Sequence, residues 1–155
     1  MPHFCKIKGL EPSWFEFFCL YNFYTILNVD YILEEGIDML KCGDKIGIIA
    51  CSNALIPREK NQITELSDTF VKLELTPVFG KYIFEQNFVL NGTGSERASV
   101  LNTFYNDDSI RAIFDVSGGD IANELLDYID YDSIRKHPKP FFGYSDLTTV
   151  INAIY

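Results

Sequence analysis

The sequence predicts an α/β domain built on an open, mostly parallel sheet with helices on both faces. Two short apolar runs, 45–50 (KIGIIA) and 110–116 (IRAIFDV), are rich in β-branched residues, as strands buried on both sides are. Between and after them lie stretches whose apolar residues recur at helical spacing. Strands separated by helices connect most simply through crossovers within one parallel sheet.

The run at 45–50 opens the pattern, and 51–57 is the loop at its carboxyl end. Residues 61–73 place Ile63, Leu66, Phe70 and Leu73 on one helical face. Residues 75–79 form a second short strand, with Pro77 marking it as imperfect because proline cannot donate to a ladder. Residues 81–94 are turn-rich. Residues 95–105 are helical, with Ser95 as the N-cap and Ala98, Leu101 and Tyr105 on one face. The strand at 110–116 ends at Gly118-Gly119. A short helix at 121–128, a strand at 140–144 and a helix at 146–155 complete the order. Composition changes near residue 38. Aromatics crowd residues 1–34 with no period of two or 3.6, whereas the pattern is regular from Met39 onward. The expected organisation is a foreign extension over 1–38 and one domain over 39–155.

A chain of 155 residues suits one domain of ordinary size. Its 47% hydrophobic and 23% charged residues exclude disorder of the whole chain. A net charge of −9 repels phosphate backbones and anionic lipid, which argues against nucleic-acid and membrane partners. Cys5, Cys19, Cys42 and Cys51 form no CxxC and no Cys/His cluster, so no metal site is expected. They read as four free thiols in a reducing compartment. The aromatic segment 14–29 is interrupted by Glu16, Asn22 and Asn28 and lacks a signal-peptide cleavage pattern, so a cytoplasmic location is expected. Asn91-Gly92-Thr93 then serves only as a turn signal.

In open α/β sheets, ligands bind beyond the carboxyl ends of the strands. Two segments fall there. Ser117-Gly118-Gly119-Asp120 can bring exposed backbone N–H groups close to a ligand, or can simply make a tight turn; from the glycines alone the turn is the better reading. Gly143-Tyr144-Ser145-Asp146-Leu147 places a serine between a strand and a helix, in part like a nucleophile elbow. On its own, Ser145 reads better as the N-cap of the last helix, with Asp146 at that helix's positive end. Asp127, Asp130 and Asp132 read as a solvated helix end and turn. His137, before Pro138 and eight residues upstream of Ser145, reads as a surface residue in an extended loop.

Three separated motifs, in order, resemble the LD-carboxypeptidases, serine peptidase family S66. Residues 44–52 (DKIGIIACS) look like the family's opening strand. Gly118-Gly119 followed by 125–131 (LLDYIDY), and 138–148 (PKPFFGYSDLT), are similar to two further family motifs. The resemblance covers 39–155 and none of 1–38. It implies a flavodoxin-like fold, as in class I amidotransferase-like N-terminal domains. It also implies hydrolysis of a bond between an L-centre and a terminal D-residue, as in D-alanine release from murein tetrapeptides during cytoplasmic cell-wall recycling. A related branch, the microcin C immunity peptidases, cleaves peptidyl or aminoacyl nucleotide conjugates.

By this resemblance Ser145 is the nucleophile, and the backbone N–H groups of Asp146 and Gly119 form the oxyanion hole. No metal or organic cofactor is implied. The family's triad glutamate and histidine come from a C-terminal domain that these 155 residues do not include. The chain is therefore expected to be inactive alone, with a complementing C-terminal half or a second copy as its possible partner. A non-catalytic binding module is the alternative. Ser117 stands where many LD-carboxypeptidases have arginine.

Overall fold

The computed structural model describes residues 40–55, 59–84 and 92–155. The expected extension over 1–38 with its aromatic segment, Cys5, Cys19, and Asn91 of the turn signal lie outside the described residues.

Strands β1 (Lys45–Ile49), β2 (Thr76–Phe79), β3 (Ile110–Asp115) and β4 (Phe141–Phe142) form one sheet in the order β2-β1-β3-β4, and every pairing is parallel. Helix α1 (Lys60–Lys72) joins β1 to β2, and α2 (Gly94–Asn106) precedes β3. A 3-10 helix (Ala122–Tyr128) and α3 (Tyr131–Lys136) lie between β3 and β4. A 3-10 turn (Ser145–Leu147) leads into α4 (Thr148–Ile154).

The period of two along β1 divides the core. Ile46, Ile48 and Ala50 pack with Phe70 of α1, whereas Ile49 and Cys51 pack with Leu101, Tyr105, Leu125, Leu147 and Val150 on the other side. Both faces of the sheet are thus covered, which is why the strand sequence lacks polar alternation. Ile110 and Ile113 share a face despite their odd spacing. The register moves from Lys45 opposite Ile110 to Ile46 opposite Ala112, so the exposed Arg111 is the extra residue of a bulge. Gly47 lets α2 lie close, because a Cβ there would come within 2.4 Å of the Phe104 ring. Pro77 sits in β2, an edge strand, where a missing donor interrupts no second ladder.

Four expectations need correction. Helix α2 is capped by Thr93, not Ser95: Thr93 Oγ1 accepts from the Glu96 N–H and the Glu96 carboxylate accepts from the Thr93 N–H. This capping box satisfies two end groups reciprocally, and a cap at Ser95 would leave both without it. The strand at 140–144 shrinks to Phe141–Phe142, because only Ile113 and Phe114 lie opposite it. The last helix begins as a 3-10 turn. Helix α3 was not expected; Asp130 starts it by accepting from the Ser133 N–H.

Replacing Thr93 by alanine is expected to lower stability by about 1 kcal/mol, against under ~0.5 kcal/mol for Ser95→Ala, both read from urea midpoints.

Candidate active site

In this strand order the chain departs outward from β1 to β2 and then crosses back to β3. The crevice between the carboxyl ends of β1 and β3 is therefore the topological switch point. Three loops meet there: 50–55 after β1, 116–121 after β3 and 143–147 after β4.

Loops packed together must find partners for their backbone polar groups. Asp115, at the end of β3, does this first. Its Oδ2 accepts from the Cys51 N–H at 2.7 Å, and its Oδ1 accepts from the N–H and Oγ of Ser117 at 2.8 and 2.5 Å. Burial pushes the Asp115 carboxyl above the usual carboxylate range, while the donors from Ser117 and Cys51 pull it back down. Ser117 Oγ in turn accepts from the Ser52 N–H at 2.9 Å. Ser117 is fully buried and spent on this network, which is the role a serine fills at that position.

Arg97 ties the same loops from the α2 side. It is 1% exposed. Its guanidinium donates to the Cys51, Gly92 and Ile121 carbonyls and to the Glu124 carboxylate. Cys51 lies beside this network with its thiol pushed well up, by burial first and by Asp115 second. Burial of that kind favours the neutral thiol, the poorly nucleophilic form.

Gly119 holds φ +136, and a Cβ on it would come within 2.3 Å of the Asn53 amide, so only glycine fits. The Asn53 N–H donates to the Gly118 carbonyl at 3.2 Å. The Gly119 N–H donates to no protein group among the described residues. The pair of glycines is thus a close approach as well as a turn.

Ser145 is exposed and sits at φ +58 directly after Tyr144, which is extended at φ −147. A left-handed conformation costs a serine about 1–2 kcal/mol. Glu74 and Tyr82 are the other described non-glycine residues with positive φ. The N-cap reading of Ser145 is corrected here: the turn starts at Tyr144 and has no side-chain cap. Asp146 does not act on the last helix either. Its Oδ2 accepts from Ser52 Oγ at 2.6 Å and from the Ala122 N–H at 2.7 Å. The Leu147 N–H is bonded back to the Tyr144 carbonyl, so the Asp146 N–H precedes the first bond of the turn. Gly118 faces the serine: a Cβ on it would stand 4.0 Å from the Ser145 Cβ.

His137 lies elsewhere. Its Nδ1 is 3.1 Å from Asp108, which precedes β3, and His137 itself precedes β4. In a parallel sheet that is the end opposite Ser145. Asp127 and Asp132 stay on the outer helices, and Asp132 pairs with Arg135.

Sequence reasoning missed Arg97, Asp115, Ser52 and Asn53 as site builders. Arg97 did leave a trace, since it falls on the apolar stripe of Gly94, Ala98, Leu101 and Tyr105. Asp115 is a charge ending an apolar strand run. The roles of Ser52 and Asn53 left no local signal.

Residues 46–155 match the family described as the LD-carboxypeptidase N-terminal domain, Peptidase S66. The chain is 33% identical to a probable murein peptide carboxypeptidase of Bacillus subtilis, over 75% of this chain and 35% of that protein. It is 34% identical to the microcin C7 self-immunity protein MccF of Escherichia coli, over 75% of this chain and 34% of that protein. A solved structure of MccF in complex with aspartyl sulfamoyl adenosine superposes with a TM-score of 0.68 at 34% identity, covering 75% of this chain and 35% of that one. The chain thus spans about a third of the length of the relatives it matches.

Asp115→Ala leaves three donors without their acceptor and is expected to cost about 3 kcal/mol, measured by chemical denaturation.

Proposed function

Since the chain belongs to the LD-carboxypeptidase family, peptidase family S66, we propose that it carries the nucleophile of a serine carboxypeptidase that releases a terminal D-amino acid from murein peptides. The observation that carries this reading is the exposed Ser145 at positive φ, between a strand and a helix and facing the Gly118-Gly119 turn. That is the arrangement a nucleophile elbow needs.

The chemistry proposed is acyl transfer. Ser145 Oγ attacks the carbonyl carbon of the bond to the terminal D-residue and loses its proton to a base. The oxyanion is held by the N–H groups of Asp146 and Gly119. The tetrahedral species collapses, the amine of the D-residue leaves with a proton, and the acyl group stays on Ser145. Water, deprotonated by the same base, then hydrolyses the ester. No metal or organic cofactor enters these steps.

Among the described residues, no histidine stands beside Ser145 to act as the base. His137 is the only histidine among the described residues, and it stands at the far end of the sheet. The triad glutamate and histidine belong, on this reading, to a C-terminal domain lying outside the 155 residues, and the reaction belongs to the cytoplasm. No helix among the described residues is long and apolar enough to cross a membrane.

A second reading is favoured by the likeness to MccF: a peptidase acting on peptidyl or aminoacyl nucleotide conjugates. At 33% and 34%, identity does not separate the two branches.

The 155-residue chain alone is expected to release almost no D-alanine from a murein tetrapeptide. Release is expected once a polypeptide carrying the glutamate and histidine is added, and to fall at least ~1,000-fold with Ser145→Ala. Turnover of aspartyl sulfamoyl adenosine in place of the tetrapeptide selects the second reading. Release by the unaided chain, or by the Ser145→Ala variant, defeats the assignment.

A further inference from the structure

We infer that the side chain of Asp146 is a positioning residue: through one oxygen it latches the serine turn to the loops after β1 and β3 and holds Ser145 at positive φ. Two donors reach Oδ2, Ser52 Oγ at 2.6 Å and the Ala122 N–H at 2.7 Å, from residues 94 and 24 positions away in sequence. Both donors are themselves fixed. Ser52 is fully buried, and its N–H is held by Ser117 Oγ, which is held by Asp115. The Ala122 N–H opens the 3-10 helix, whose preceding residue Ile121 offers no side-chain cap, so Asp146 satisfies a helix end from a distance.

The serine turn needs such a tether. It follows a strand of only two residues and has no side-chain cap of its own. Buried Leu147 anchors it from below, and Thr148 Oγ1 donates to the Ser145 carbonyl. Thr148 thereby holds the carbonyl of the Ser145–Asp146 peptide, whose N–H is the one proposed for the oxyanion, but neither contact hydrogen-bonds the turn to the loops after β1 and β3. The latch does so from the residue directly after the serine.

Because both donors converge on the same oxygen, the geometry separates an acceptor role from a charge role. Asparagine can place its single oxygen where Oδ2 stands and keep both bonds, whereas alanine keeps neither.

The test uses the isotope-labelled 155-residue chain. The readouts are the couplings of Ser145, amide-to-Hα together with one-bond Cα-to-Hα, which resolves the sign of φ, and the shift and exchange rate of the Ala122 amide proton. Asp146→Ala is expected to lose the positive-φ coupling and to speed Ala122 exchange at least tenfold. Asp146→Asn is expected to retain both signatures. Should Asp146→Ala not fold, Ser52→Ala removes one donor and is expected to move the Ser145 coupling part of the way. An unchanged Ser145 coupling in Asp146→Ala or Ser52→Ala overturns the inference, as does an Asn variant that behaves like the Ala variant.

The kinetic consequence rests on Ser145 being the nucleophile. In the complemented enzyme, Asp146→Ala is expected to lower kcat about 100-fold with KM little changed, and Asp146→Asn to recover most of it. If the spectroscopic results hold while Ser145→Ala remains active, the nucleophile assignment fails and the latch stands.

Discussion

Three loops can share one crevice only if their backbone groups are matched, and here a few polar side chains do the matching. Asp115 takes the Cys51 N–H of the loop after β1 and the Ser117 N–H of the loop after β3 together. Arg97 takes the carbonyls that face the other way. Asp146 closes the set from the β4 side. Each is an ionisable group spent mainly on main-chain or hydroxyl partners, with Arg97 also paired to the Glu124 carboxylate, and charge-assisted bonds contribute more than neutral ones. Unpaired, the buried Asp115 and Arg97 would each cost a few kcal/mol, which is a large share of a domain's net stability.

This network explains why polar residues sit inside an otherwise apolar molecule. Arg97 is as buried as the isoleucines of β1, and Asp115 is buried too. The helices cover both faces of the sheet and leave only its carboxyl end for chemistry. There Gly119 matters through space rather than looseness, because it leaves room for the Asn53 amide.

The same geometry divides the proposed chemistry in two. The elements that demand a rigid main chain, the proposed nucleophile Ser145 at positive φ and the N–H groups proposed beside it, lie at the carboxyl end of this sheet. The element that demands a mobile proton, a histidine with its carboxylate, has no counterpart at this end of the sheet among the described residues. A serine hydroxyl without such a base is a weak nucleophile, so the two parts have to be brought together for acyl transfer.

The sequence by itself determined the layers, the strand runs and the family, because those follow from periodicity and from motifs read along the chain. The runs at 45–50 and 110–116 became β1 and β3, and Pro77 fell on an edge as its missing donor requires. The cap of α2 was legible too, in Thr93-Gly94-Ser95-Glu96, and Ser95 was simply the wrong residue of that box. Only the tertiary structure decided what Ser145 and Asp146 do. Locally, a serine and an aspartate before a helix make a cap. The partners that draw Asp146 away from such a cap, Ser52 and Ala122, lie 94 and 24 residues away from it. Hydrogen bonds across such separations depend on where folded loops meet, and no local pattern of residues encodes that meeting.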